Sequence, residues 1–154
     1  MIQGRFIPQG GDLSDAKQVR QAVFIEEQQI PPELEYDDWD AKAVHAVAYD
    51  ENGLPVATGR LLLEEDGSFH IGRVAVRREC RKKGYGDFVV RMLLDRAFQC
   101  GAKEVCILAQ TTAVGFYQTI GFQVCGGPCQ DAGIEHYPMK VARGGVKTAC
   151  GGHA

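Results

Sequence analysis

The sequence predicts an α+β protein with helices packed on a mixed sheet, and three observations lead there. Stretches of strand character at 43–49, 55–64 and 69–77 are joined by two tight turns, which makes an antiparallel meander. Beyond residue 77 helical and strand patterns follow one another, at 86–100, 104–109, 111–119, 122–126 and 134–142. With 154 residues, 45% apolar and 24% charged, the chain suits one domain with a continuous core.

In chain order, residues 5–8 read as a short strand. Ser14 is placed to cap a helix over 15–26, with Leu13 just before it. Ala16, Val19, Val23 and Phe24 recur at helical spacing and give that helix an apolar stripe. An acidic segment follows, with Glu26, Glu27, Glu33, Glu35, Asp37, Asp38 and Asp40 and no Lys or Arg. Pro31-Pro32 breaks any helix there. The segment reads either as a solvated loop or as an acidic wall that selects a cationic substrate such as an amine.

In the meander, Glu51-Asn52-Gly53 and Asp66-Gly67 mark the two turns, because Asn-Gly and Asp-Gly tolerate positive φ. A basic turn, Arg81-Lys82-Lys83-Gly84-Tyr85-Gly86, then leads into the 86–100 helix. Asp87, Arg91, Asp95 and Gln99 fall four apart and draw its solvent face. Val89, Val90, Leu93, Leu94 and Ala97 face inward, and Gly101 closes the helix. A buried strand at 104–109, a helix at 111–119 ending near Gly121, and two strands complete the order β, α, βββ, α, β, α, ββ. The domain is expected to span 1–142, with 143–154 as a flexible tail.

Seventeen basic against 20 acidic residues give a net charge of −3, so no global attraction to nucleic acid or anionic membranes is expected. No stretch approaches the roughly 20 apolar residues of a membrane span. The start of the chain lacks the apolar core of a signal peptide, which predicts a cytoplasmic protein. The six cysteines then read as free thiols, with Cys100 and Cys106 as small core residues. Cys125, Cys129, Cys150 and His153 offer four soft ligands, but the last two lie in a Gly-rich tail and no metal is expected.

The 81–86 turn carries the chemistry. A helix N-terminus leaves its first N–H groups unpaired and partly positive. Gly84 and Gly86 let an anion approach the backbone, and Arg81, Lys82 and Lys83 add full charges, so the turn suits a phosphate or pyrophosphate. It lacks the Gly-Lys-Ser/Thr ending of a P-loop and the third glycine of the dinucleotide fingerprint.

Val74-Ala75-Val76 followed by this turn resembles motif A of the Gcn5-related N-acetyltransferases (GNAT), whose loop reads Gln/Arg-x-x-Gly-x-Gly/Ala. Arg81, Gly84 and Gly86 fill its fixed positions, and Phe116-Tyr117 with Gly121-Phe122 resembles the family's later aromatic pair and Gly-Phe. Val23 to Gln28 and Pro31 to Asp37 are similar to a bacterial subgroup of small acetyltransferases.

The resemblance implies a GNAT-like fold: a central, largely antiparallel sheet with one splayed strand pair, flanked by helices. It implies acetyl-CoA as co-substrate and an N-acetyltransferase acting on a primary amine of a small cationic molecule or peptide. Val74, Ala75 and Val76 would pair with the pantetheine amides, and residues 82–86, with Arg81 and Asp87, would hold the pyrophosphate. Gln110 stands where many relatives carry an Asn that bonds the cofactor, and offers the same amide one methylene further out. Tyr117 matches the usual general acid; without the resemblance it reads as an inner-face aromatic. For the general base, His70 matches the position of an acid in some relatives, with Glu26 and Glu27 as rivals, Glu27 lining the acceptor side. His136 is expected to bind substrate. Many relatives dimerise, so a homodimer is among the assemblies implied. Two other readings stand beside this one, a CoA-binding sensor or interaction module without catalysis and a phosphate-binding protein without CoA.

Overall fold

The computed structural model describes residues 2–148. Their eight strands form one sheet: β1 (Gln3–Ile7), β2 (Val44–Tyr49), β3 (Pro55–Leu63), β4 (Phe69–Val76), β5 (Glu104–Gln110), β6 (Gln123–Val124), β7 (Cys129–Asp131) and β8 (Ile134–Ala142). The order is β1-β2-β3-β4-β5-β8-β6, with β7 on β8. All pairings are antiparallel except β4 with β5, so the sheet is mixed and largely antiparallel.

Helices cover both faces. On one, α3 (Tyr85–Gln99) buries Val89, Val90, Leu93, Leu94 and Ala97 against Ala46, Ala57, Val105 and Ile107. Asp87 to Arg91 and Asp95 to Gln99 pair along its outer side, as their spacing predicts. On the same face α4 (Val114–Ile120) contributes Tyr117 and Ile120. On the other face α1 (Ser14–Arg20) and its continuation set Val19, Val23 and Phe24 against Ile30 and Ala75.

The parallel pair is short. β4 and β5 pair only at Phe69–Val105, His70–Cys106 and Ile71–Ile107, and beyond Ile71 they part. Opposite Gly59, β4 carries one residue more than β3, and Arg73 there has φ 52. A bulge of this kind bends its strand, which takes Val74–Val76 away from β5. The splayed pair leaves the β5-facing backbone edge of β4 without a strand partner.

Several local expectations are revised. The α1 segment starts at Ser14, whose N–H donates to Asp12 Oδ1 at 2.9 Å, so Asp12 rather than Ser14 satisfies the helix start. From Gln21 to Glu27 the helix widens to a π-helix. Pro32 begins a one-turn helix, α2 (Pro32–Glu35), because its missing N–H costs nothing at a first turn. β7 was not foreseen: the turn into β8 places Ala132 at φ 52, where the sequence offers no Asn-Gly signature.

Cys100 is exposed just past α3, and Cys106 is half-buried on the α1 side of β5 rather than in the core. Residues 143–148 are docked, not loose: Lys147 N donates to Ile120 O at 2.8 Å, and Arg91 Nη1 to Lys147 O at 2.6 Å. Cys150 and His153 lie outside the described residues; Cys125 and Cys129 are exposed. Among the described residues no helix is long and apolar enough to cross a membrane.

Candidate active site

Where β4 and β5 part, a cleft of about 830 Å³ opens through the sheet. Its walls come from four places: the end of the widened α1, the bulged β4, the turn into α3, and β5 with α4 and the β7–β8 hairpin. Val105, Ile107 and Ala109 share the core with α3 and α4, so Leu108 and Gln110 alternate to the α1 side. The cleft therefore has an α3/α4 side and an α1 side.

On the α3/α4 side lies the basic turn. Lys82 has φ 64 and Gly84 φ 88, and Gly84 stands at the cap of α3. Left-handed residues alternating with ordinary ones turn successive N–H groups toward one concavity, which suits an anion. A Cβ on Gly86 would stand 3.2 Å from Val76 Cγ2 and 3.3 Å from Phe116 Cζ, so a glycine lets the helix start press against β4 and α4. Arg81, Lys82, Gly84, Tyr85, Gly86 and Asp87 all reach the cleft, whereas Lys83 is exposed outside it. Arg81 is engaged by the protein: Nε donates to Val76 O at 3.0 Å, and the guanidinium grips Glu27 at 2.7 and 2.8 Å. Asp87 is paired with Arg91.

Tyr117 lines the same cleft at 6% exposure, edge-on to Phe116 and Phe122. Its hydroxyl has no hydrogen-bond partner among the described residues. Burial pushes the phenol well above its ordinary range, so it holds its proton throughout the physiological range.

On the α1 side, Gln110 and Gln28 exchange amide hydrogen bonds at 3.0 and 3.4 Å across the cleft. His136 lies beside Gln110 in register, with Nδ1 2.7 Å from Ile134 O. Gln28 and Arg73 are cleft residues that sequence reasoning missed. Gln28 becomes visible only once the π-helix sets its direction, and Arg73 only once the bulge forms.

Three site expectations change. His70 does not line the cleft; it is half-exposed, with Nε2 2.9 Å from Ser68 Oγ and 3.1 Å from Glu64. It sits in the paired part of β4, before the strands separate. Glu26 is exposed and outside the cleft, while Glu27 lines it but is bound by Arg81 and Arg78. The Arg81 hydrogen bonds outweigh burial and hold the Glu27 carboxyl below its ordinary range.

Part of the acidic segment is also neutralised within the fold. Glu35 is 2% exposed between Arg20 at 2.6 Å and Arg73 at 3.1 Å. Asp40 binds Arg20 and Arg60 at 2.8 Å, and Asp37 binds Arg60 at 2.7 Å. Three arginines from outside the segment neutralise three of its carboxylates.

A family model for the GNAT acetyltransferase domain matches residues 12–143. The chain belongs to the GNAT acetyltransferase family. The uncharacterized N-acetyltransferase YjcF of Bacillus subtilis is 37% identical over 128 residues, 82% of this chain and 90% of the relative. A crystal structure from Lactobacillus plantarum is 30% identical, covers 92% of this chain and 97% of its own, and superposes with a TM-score of 0.83. A GNAT acetyltransferase from Elizabethkingia anophelis, solved with acetyl-CoA bound, is 14% identical with a TM-score of 0.67 over 92% of this chain and 97% of its own, a likeness of fold. This GNAT chain is thus an acetyl-CoA-dependent N-acetyltransferase of the mixed-sheet fold its sequence predicts.

Proposed function

We propose that the cleft between β4 and β5 binds acetyl-CoA from the α3/α4 side and a primary amine from the α1 side, and joins them by direct transfer. The observation that carries this reading is that Tyr117, protonated and with no hydrogen-bond partner among the described residues, lines the same cleft as the basic turn. The residues fit the co-substrate in charge and shape. The 82–86 turn offers N–H groups and cationic side chains to the pyrophosphate. The free edge of β4 offers backbone groups to the pantetheine amides, with the walls Ile71, Val74, Ile107 and Phe116 to exclude water.

Acetyl-CoA supplies an activated acyl group in a thioester. Tyr117 then donates a proton toward the departing sulfur; burial keeps the phenol neutral but also makes it a weaker acid, so the donation depends on its closeness to the developing thiolate. Gln28 and Gln110, bonded to each other on the α1 side, orient the acceptor, so Gln110 serves the amine rather than the cofactor to which the resemblance assigns it. With Glu27, Glu35, Asp37 and Asp40 engaged by arginines, the acceptor is a primary amine recognised by hydrogen bonding and shape in the α1-side pocket.

The test is release of CoA thiol with a panel of polyamines, amino sugars and peptide amines. The Tyr117→Phe variant keeps the ring and its packing. Its kcat is expected to fall about 10²–10⁴-fold with acetyl-CoA affinity unchanged. Thiol release at the wild-type rate by the variant, with chemistry rate-limiting, contradicts the role of Tyr117. A protein that binds acetyl-CoA but acetylates no amine would favour the sensor reading.

A further inference from the structure

An amine is protonated near neutral pH, so one proton must leave it before it can attack a thioester. With His70 and Glu26 outside the cleft, the acceptor of that proton must be found among the groups that line it. The cleft carboxylates are mostly engaged. Glu27 has both oxygens on Arg81. Glu35 gives one oxygen to Arg20 and the other to Arg73. Asp87 has both oxygens on Arg91. Asp131 is exposed, on the short β7 strand of the hairpin.

His136 differs from all of these. It is 7% exposed, lies on β8 beside Gln110, and lines the cleft. Its Nδ1 stands 2.7 Å from the Ile134 carbonyl oxygen. A carbonyl can only accept, so Nδ1 carries the hydrogen and the neutral ring presents Nε2 as a bare lone pair. Nε2 has no partner among the described residues.

We infer that His136 takes the proton of the acceptor ammonium through Nε2, on the face of the sheet opposite Tyr117. This rests on the reading of the cleft given above. The protons balance in a simple way. His136 removes one from the ammonium, and the C–N bond forms as the C–S bond breaks. The second proton of the attacking nitrogen passes, by way of Tyr117, to the sulfur, and His136 returns its own to water. The charged groups that share the cleft with His136 are Glu27, Glu35, Asp87, Asp131, Arg73, Arg81 and Lys82, and Cys129 is its register partner on β7. The paired acids and arginines nearly cancel, and the free lysine lies at the turn on the other side.

His136→Asn separates catalysis from structure, since an Asn amide can still donate to the Ile134 carbonyl but cannot take up a proton. The substrate is whichever of spermidine, glucosamine and a short lysine peptide the wild-type protein acetylates fastest. Expected is a loss of kcat/KM of about 10²–10³-fold at pH 7, with acetyl-CoA affinity by calorimetry unchanged. The pH profile should lose its acid limb and rise instead with deprotonation of the amine itself, approaching wild type at high pH. Added imidazole should restore part of the rate to His136→Ala. A His136→Asn variant with the wild-type pH profile overturns the role of His136 and leaves the reading of the cleft standing. A wild-type protein that fails to bind acetyl-CoA overturns both.

Discussion

The acidic segment from Glu26 to Asp40 and the basic turn from Arg81 to Gly86 border the same cleft, yet they hold their charge in different ways. In the acidic segment Glu35, Asp37 and Asp40 meet Arg20, Arg60 and Arg73, which arrive from α1, β3 and β4. Those pairs are buried or half-buried, and they tie α2 and the loop after it to the sheet. In the basic turn Arg81 is held by Glu27, while Lys82 and Lys83 have no ion-pair partner among the described residues and the helix start adds its own positive end. One stretch uses its charge for cohesion, and the other leaves much of it for a ligand. The difference arises from where the counter-ions fall in the folded chain.

The largest expected effect lies on the acidic side. Arg20→Ala would leave Glu35 and Asp40 buried without their shared partner. Breaking a buried pair from one side costs about 3–5 kcal/mol, read as a lowered midpoint in urea. Acetyl-CoA affinity, measured where the variant is folded, should stay within about twofold of wild type. A stable variant that lost acetyl-CoA affinity instead would erase the contrast between the two regions.

Reversal of the basic side should give the opposite pattern. Lys82→Glu with Lys83→Glu is expected to weaken acetyl-CoA binding about 10–100-fold, and more at low salt than at high, with the melting temperature nearly unchanged. Equal affinity in a folded variant would remove the turn from the site.

Acid titration sharpens the comparison further. Burial works against the charges of Asp37 and Asp40, but hydrogen bonds from Arg60, and for Asp40 from Arg20, more than offset it and hold both below their ordinary range. Their contribution to stability is present above an unfolded-state value of about 3.9 and is lost as pH falls through the folded values. His45 is buried with Nε2 donating to Asp40 O at 3.0 Å, and burial depresses its basicity. Its unfolded form gains a proton first, so stability begins to fall below a pH of about 6.5. Melting temperatures across pH 3–8 should decline in those two windows, and a flat profile through both contradicts the burial of this network.

The smallest effect is expected at the one link between the regions. Glu27→Gln releases Arg81 from a partly exposed pair, so stability should change by no more than about 1 kcal/mol. Acetyl-CoA affinity should hold or rise slightly, by calorimetry, as the guanidinium becomes free for a phosphate. A marked loss would mean that Glu27 positions Arg81 for the ligand.

Much of this molecule is legible in its sequence, and the exceptions share a cause. The apolar stripes of α1 and α3, the meander and the Gly-containing turn are local patterns, and the fold keeps them where the periodicities put them. The residues Val74 to Val76, Gln110 and Tyr117 fall in one cleft because they lie on elements whose order is itself readable. What the sequence hides is set at a distance or by irregular backbone. The acids of 26–40 have no cation among them in sequence, and Arg60 and Arg73 join them only through the sheet. His70 and Arg73 are three residues apart, but the strands part between them, so one lies outside the cleft and the other inside. The π-helix that directs Gln28 has no residue signature, and in the turn that adds β7 beside His136 only Gly133 signals the positive φ that Ala132 also adopts.

The most direct test is a crystal structure of the protein with acetyl-CoA. The account predicts the pyrophosphate on the N–H groups of residues 82–86, the pantetheine along the free edge of β4 from Val74 to Val76, and the thioester within hydrogen-bond reach of Tyr117. It also predicts His136 Nε2 facing the thioester carbonyl from the α1 side, across the room left for an amine. A pyrophosphate seated away from the turn, or a thioester outside the space between β4 and β5, would contradict it.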